Sequence, residues 1–216
     1  MLRYCVGIML MVAVGVAQAD ALDAEISRLA GAWDVANFAT AGEAKEKALA
    51  GLAEQAQRLR EIWPERAEPL IWEGIVLASW AGAKGGLGAL KLAKQARDQL
   101  LRAEQIDPSA LNGSVYTSLG SLYYQVPGWP LGFGDDDKAR EYLEKALTMN
   151  PDGIDPNFFY GDYLIAQGDY ARAVAVLERA LQAPQRPGRD LADRGRRAEI
   201  EKAMRTAKDN IGTKSW

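Results

Sequence analysis

Carboxylates are the residues in this chain with the greatest scope for chemistry. Asp135, Asp136 and Asp137 form an acidic triplet, with Asp152 and Asp155 close behind. Such groups can do general acid and base work where no imidazole is at hand. None is: the 216 residues contain no His, and the single Cys, Cys5, lies in an N-terminal leader. Thiol nucleophiles, imidazole bases and the commonest zinc ligand sets are therefore excluded. The triplet also has a plain structural role, because aspartates that open a helix cap free N–H groups and suit the positive end of its dipole. A calcium loop would need alternating oxygen ligands, a Gly and a terminal Glu at fixed distances, and that spacing is missing. Residues 82–88 are glycine-rich but lie between two helical patterns, without the strand that phosphate-binding loops follow. The expectation is a protein that is not an enzyme and uses no cofactor or metal.

The elements around the triplet repeat. Gly134, Asp135, Ala139, Leu143, Ala146 and Leu147 return 34 residues later as Gly168, Asp169, Ala173, Leu177, Ala180 and Leu181. Upstream of each copy comes a Leu or Tyr followed by Gly, then Tyr or Leu: Leu119, Gly120 and Tyr123, then Tyr160, Gly161 and Leu164. This is the pattern of a two-helix repeat. Taken literally, the register gives repeats at about 67–110, 113–153 and 154–186, a degenerate hairpin at 22–64 and a charge-rich helix at 190–209 that would cap the last apolar face. The first two repeats carry extra residues inside their hairpins, around 82–88 and at 127–133. Turns inside successive hairpins emerge on one rim of a stack, so these inserts should be neighbours. No strand pattern of any length occurs, which predicts an all-α fold.

Arg3, an apolar run from Val6 to Val16 and Ala17-Gln18-Ala19 before Asp20 have the layout of a signal peptide, 1–19, leaving residues 20–216 as one exported domain. The run is shorter than the roughly 20 residues a membrane-spanning helix needs, so no membrane span is expected in the mature chain. Cys5 precedes the run and cannot serve as a lipidated first residue. Without Arg3 the chain keeps 25 basic against 29 acidic residues, a net charge of about −4. A mildly acidic protein is a poor nucleic-acid binder, since that affinity rests on a basic face.

A stack of hairpins offers a concave surface lined by the first helix of each pair. In the proposed register Ile71, Ile75, Ser114, Thr117, Ser121, Tyr124, Phe158, Asp162 and Ile165 face inward, an apolar and hydroxylic lining without the Lys, Arg and Asn that acidic peptide tails require. Trp129 and Phe133, in a proline-stiffened insert, either plug their own hairpin or form an aromatic lip over the groove. Binding anchors are expected at Tyr124, Trp129 and Phe158.

The recurrent Gly, Ala and Leu positions, with Pro151 and Pro184 closing the units, resemble the tetratricopeptide repeat. That resemblance implies a tetratricopeptide-like helical-hairpin solenoid with a polar C-terminal capping helix. The leader, the long glycine-containing turns and the stretch from Tyr123 to Asp135 are similar to exported bacterial tetratricopeptide proteins, and among these to the T component associated with tripartite ATP-independent periplasmic transporters. The repeat implies a non-catalytic periplasmic adaptor that binds another envelope protein through its groove. The transporter resemblance implies instead an accessory that takes a small apolar ligand and associates with a substrate-binding protein. N-terminal sequencing of protein released by osmotic shock is expected to find Asp20 first; an intact Met1 would contradict export with cleavage.

Overall fold

The computed structural model describes residues 2–213, with side chains described from 20 to 211, so the apolar run and the cleavage motif lie outside the described side chains. Among the described residues the elements are α1 (Leu2–Phe38), α2 (Gly42–Ile62), α3 (Ala67–Lys84), α4 (Gly86–Ile106), α5 (Ala110–Gln125), α6 (Asp136–Met149), α7 (Ile154–Ala166), α8 (Tyr170–Leu181) and α9 (Asp190–Thr213). No helix among them is long and apolar enough to cross a membrane. Successive helices pair as antiparallel hairpins, and α1, α3, α5 and α7 lie side by side as an inner layer. The only strand-like pairing among the described residues is an isolated bridge between Gly128 and Gly134.

One contact recurs inside the hairpins. A Cβ on Gly74 would come 2.5 Å from Leu100 Cγ, one on Gly120 would come 2.6 Å from Leu143 Cγ, and one on Gly161 would come 2.6 Å from Leu177 Cγ. Each leucine is fully buried. Glycine on the first helix thus makes a slot for leucine on the second, and the slot sets how closely the two axes approach.

The repeated Gly-Asp dipeptide keeps its aspartate role but changes its glycine role. Asp135 accepts from the N–H groups of Asp137 and Lys138 at 3.1 and 3.0 Å, and Asp169 accepts from that of Arg172 at 3.4 Å. Both cap a helix, as carboxylates at this position do. Gly168 has φ +74°, a left-handed turn between α7 and α8 that side chains resist. Gly134 has no such φ; a Cβ there would strike the Val126 carbonyl, because the insert folds back and Gly134 N–H donates to Pro127 O at 3.0 Å.

At the far end α9 does more than cover an apolar face. Ile200 and Ala207 are fully buried as it packs along α8 and α7, and the same helix touches α1. Gly195 permits that approach, since a Cβ there would collide with the Phe38 ring. The last helix therefore returns to the first and bends the stack towards a closed ring.

Gly120→Leu or Gly161→Leu should cost about 1–3 kcal/mol by overpacking, which lowers the melting midpoint by several degrees. Gly51, exposed within α2 with nothing near its missing Cβ, should behave oppositely, gaining about 0.5–1 kcal/mol on change to Ala. Thermal melts followed by circular dichroism check both signs.

Candidate functional site: a chamber closed by arginines

The inner layer and the returning C-terminal segment border a cavity of about 450 Å³ that stays partly open to solvent. Its floor comes from successive turns of the inner helices: Ile75 and Ser79 of α3, Ser114, Thr117, Ser118 and Ser121 of α5, and Asp155 and Phe159 of α7. Trp33 and Trp72 form one wall, with ring centroids 5.9 Å apart and edge-on. Trp33 is locked by a 2.9 Å hydrogen bond from its Nε1 to Ser79 Oγ, and Ser79 in turn donates to Ile75 O at 2.8 Å. A smaller cavity of about 300 Å³ shares Trp33, Ser79, Phe159 and Arg196 with the first and extends towards Asn37 and Lys45.

Arg186, Arg189 and Arg196 close the opposite side. Arg189 donates from Nε and Nη2 to the two oxygens of Asp34, at 2.8 and 2.6 Å, and its guanidinium lies 5.5 Å from the centre of the Trp72 ring. This bidentate pair joins α1 to the segment leading into α9, 155 positions apart in sequence. Asp34 is almost fully buried, so the pair works in a medium that screens it weakly.

Asp155 sits between two arginines. Arg196 Nε donates to one of its oxygens at 2.7 Å and Arg186 Nη1 to the other at 2.6 Å. Burial alone would raise the pKa of this carboxyl; the charges of Arg196 and Arg186 outweigh it, and the group is held below the usual carboxylate range. Asp193 binds Arg186 through both the backbone N–H and Nε, at 2.9 and 2.7 Å. Burial opposes the charge of Arg186, but Asp155 and Asp193 raise its pKa overall. Arg196 also donates from Nη1 to Glu199 at 2.7 Å, so three arginines face four carboxylates, Asp34, Asp155, Asp193 and Glu199, while Asp152 adds an acid to the lining. The chamber edge is ionic, and each of its arginines is already paired.

Of the residues that sequence placed in the groove, Ile75, Ser114, Thr117 and Ser121 line the chamber, and the others do not. Ile71 has no exposed surface and belongs to the core one turn away. Tyr124 donates to Asp162 at 2.6 Å, tying α5 to α7; burial first, then the Asp162 charge, pushes its hydroxyl well above the ordinary tyrosine range and keeps it protonated. Phe158 points into a second core cluster with Leu177 and Ile200, while its neighbour Phe159 faces the cavity. The register was one position out on α7. Ile165 packs against the core and does not reach the cavity. Phe133 plugs its hairpin, edge-on to Tyr123 at 5.6 Å with Arg97 4.5 Å above it. Trp129 is neither plug nor lip: it stands exposed, away from the chamber. Tyr124, Trp129 and Phe158 are therefore not one site.

The expected lining lacked Arg and Asn, and here the structure corrects the sequence. Arg186 ends the last repeat and Arg189 and Arg196 lie beyond it, where no register applied, and Asn112 and Asn150 enter from the joins between hairpins. Asn112 and Leu111 both have positive φ, 55° and 51°, in a left-handed turn at the start of α5 that turns both residues to the cavity. The carboxylates weighed for catalysis also separate. Asp135 caps α6, and Asp155 is held by arginines. No cluster of potential metal ligands occurs among the described residues.

A family model for the tetratricopeptide repeat matches residues 131–190. The crystal structure of TTC0263, a tetratricopeptide-repeat protein of Thermus thermophilus, is 18% identical with a TM-score of 0.54, over 73% of this chain and 78% of that one. Residues 131–190 thus carry the tetratricopeptide repeat, and the chain as a whole has a tetratricopeptide-like fold. Other similar folds include MamA, 18% identical with a TM-score of 0.45 over 78% of this chain and 92% of that one. The Pseudomonas aeruginosa protein pilF is 19% identical with a TM-score of 0.38 over 90% of each chain. No curated protein matches the sequence. A tetratricopeptide-repeat fold suggests a role in protein–protein interaction, and in this chain the segment after residue 181 packs across the concave face.

Asp155→Asn removes the anion between Arg186 and Arg196. The loss at neutral pH should be about 2–3 kcal/mol, at or below the range for a fully buried pair, because 31% of the Asp155 side chain still meets solvent. Since its folded pKa is depressed, its contribution is complete above the unfolded value near 3.9 and fades as pH falls through the lower folded value. Urea titrations across this acid range should show that part of the slope missing in the variant.

Proposed function

We propose that the protein is a non-catalytic adaptor of the cell envelope that takes an uncharged, largely apolar segment of a partner protein into its concave chamber. The observation that carries this is that every arginine of the wall is already paired. Arg186, Arg189 and Arg196 already hold Asp34, Asp155 and Asp193. An acidic segment would have to displace those partners, and a basic one would meet guanidinium groups. Trp33, Trp72, Ile75 and Phe159 supply apolar contact instead. The hydroxyls of Ser79, Ser114 and Ser121 donate to their own helix carbonyls, so towards the chamber they serve as acceptors. The leader motif supports an envelope location.

The closure by α9 favours a second reading, a small apolar solute held by an accessory to solute transport. A volume of about 450 Å³ lies in the range of small-molecule sites, and an extended peptide would have to pass beneath the clasp between Arg189 and Asp34.

Ser118→Phe tests both, because Ser118 lines the chamber from α5. The variant should melt close to the parent and lose its ligand by about tenfold or more, a change of roughly 1.4 kcal/mol. Cross-linked capture from the envelope reads a protein partner, and native mass spectrometry of the exported protein reads a solute adduct. Undiminished binding in both measurements would place recognition outside the chamber.

A further inference from the structure

We propose that the rim made by the α3–α4 turn and the α5–α6 insert docks on a lipid surface. Leu87, Trp129 and Leu131 are 94%, 89% and 71% exposed, the three most exposed large apolar side chains among the described residues. All belong to this rim. A Cβ on Gly132 would lie 3.3 Å from Leu90 Cδ1, so the insert rests on the first turn of α4; Leu87 lies one turn before Leu90 on the same helix face.

The insert presents these side chains rigidly. Leu131 and Gly132 N–H groups both donate to Gly128 O at 3.1 Å, Gly134 N–H to Pro127 O at 3.0 Å and Asp135 N–H to Tyr123 O at 2.9 Å. With Phe133 wedged beneath, between Tyr123 and Arg97, Trp129 and Leu131 stay projected.

The shape favours lipid over protein. None of the three side chains lines either of the two cavities described above, and they stand on the turns between helices. A rigid partner would need a separate pocket for each, whereas a fluid interface closes around them, and Trp suits its half-apolar level. Charge agrees. Lys91 and Lys94 are exposed, follow Leu87 and Leu90 by one helical turn and have no acidic partner among the described residues. The nearby acids are mostly engaged: Glu46 with Lys84, Asp98 with Arg97, Asp135 with Lys138 and Asp137 with Arg140. Asp136 and Glu43, one turn before Glu46, carry no ion pair among the described residues and oppose the two free ammonium groups, which would face lipid phosphate.

The test uses the exported protein, freed of the leader that carries Cys5, with Leu131→Cys labelled by a polarity-sensitive fluorophore and mixed with vesicles of phosphatidylethanolamine and phosphatidylglycerol. A blue-shifted, brighter emission is expected. Trp129→Ser with Leu87→Ser should weaken vesicle binding by about tenfold or more without moving the melting midpoint, since both side chains are exposed. Lys91→Glu with Lys94→Glu should weaken binding only where phosphatidylglycerol is present. An unmoved probe overturns the proposal, whether or not the chain sediments with vesicles. So does a probe that responds only to a lipid-free envelope protein fraction, which would assign the rim to a protein.

Discussion

Arg189 grips both oxygens of Asp34, and that contact turns a curved stack of hairpins into a chamber. The hairpins form without it: the slots at Gly74, Gly120 and Gly161 fill with leucines of the partner helix. Docking of α9 on α8 also has its own apolar anchors at Ile200 and Ala207. What the ion pair adds is position. It pins the start of α9 against α1, beside the Trp33 and Trp72 wall, and so decides whether the concave face is a trough or an enclosure. Removing one partner would leave a buried charge unmatched, which costs far more than an exposed ion pair contributes.

Pairing of charge follows from the same arrangement. Guanidinium groups that close a cavity would ordinarily invite anions, but each here has an internal carboxylate, and Asp155 remains ionised because two arginines share it. For the proposed ligand, selection would then rest on shape, aromatic contact and hydroxyl acceptors. Specificity of this kind rejects charged competitors through desolvation, since any ion entering must break a satisfied pair.

The hairpins were legible in the sequence because close packing leaves a periodic mark: a small residue on one helix and a leucine on the next must recur wherever the pair is rebuilt. The inner faces of α3 and α5 were legible for the same reason, as Ile75, Thr117 and Ser121 show. On α7 the inward face was read one residue early, at Phe158 for Phe159; adjacent aromatics give periodicity nothing to choose between. The clasp left no local trace. Arg189 looks like any charged residue of a polar cap, and its partner lies in the most divergent hairpin, so only the closure of the whole stack pairs them. Trp129 was misplaced for a related reason: an insert has no repeat register, and its backbone hydrogen bonds, not its composition, set which aromatic turns inward.

A double-mutant cycle across the clasp tests this closure most directly. Asp34→Asn, Arg189→Gln and the combined variant would be unfolded in urea, with fluorescence following Trp33 and Trp72 beside the pair. Close charge pairs of this kind couple by about 1.5 kcal/mol or more, so the double variant should lose much less stability than the two single losses together. Strict additivity, within about 0.5 kcal/mol, would mean that α9 does not close on α1 and that the concave face stands open.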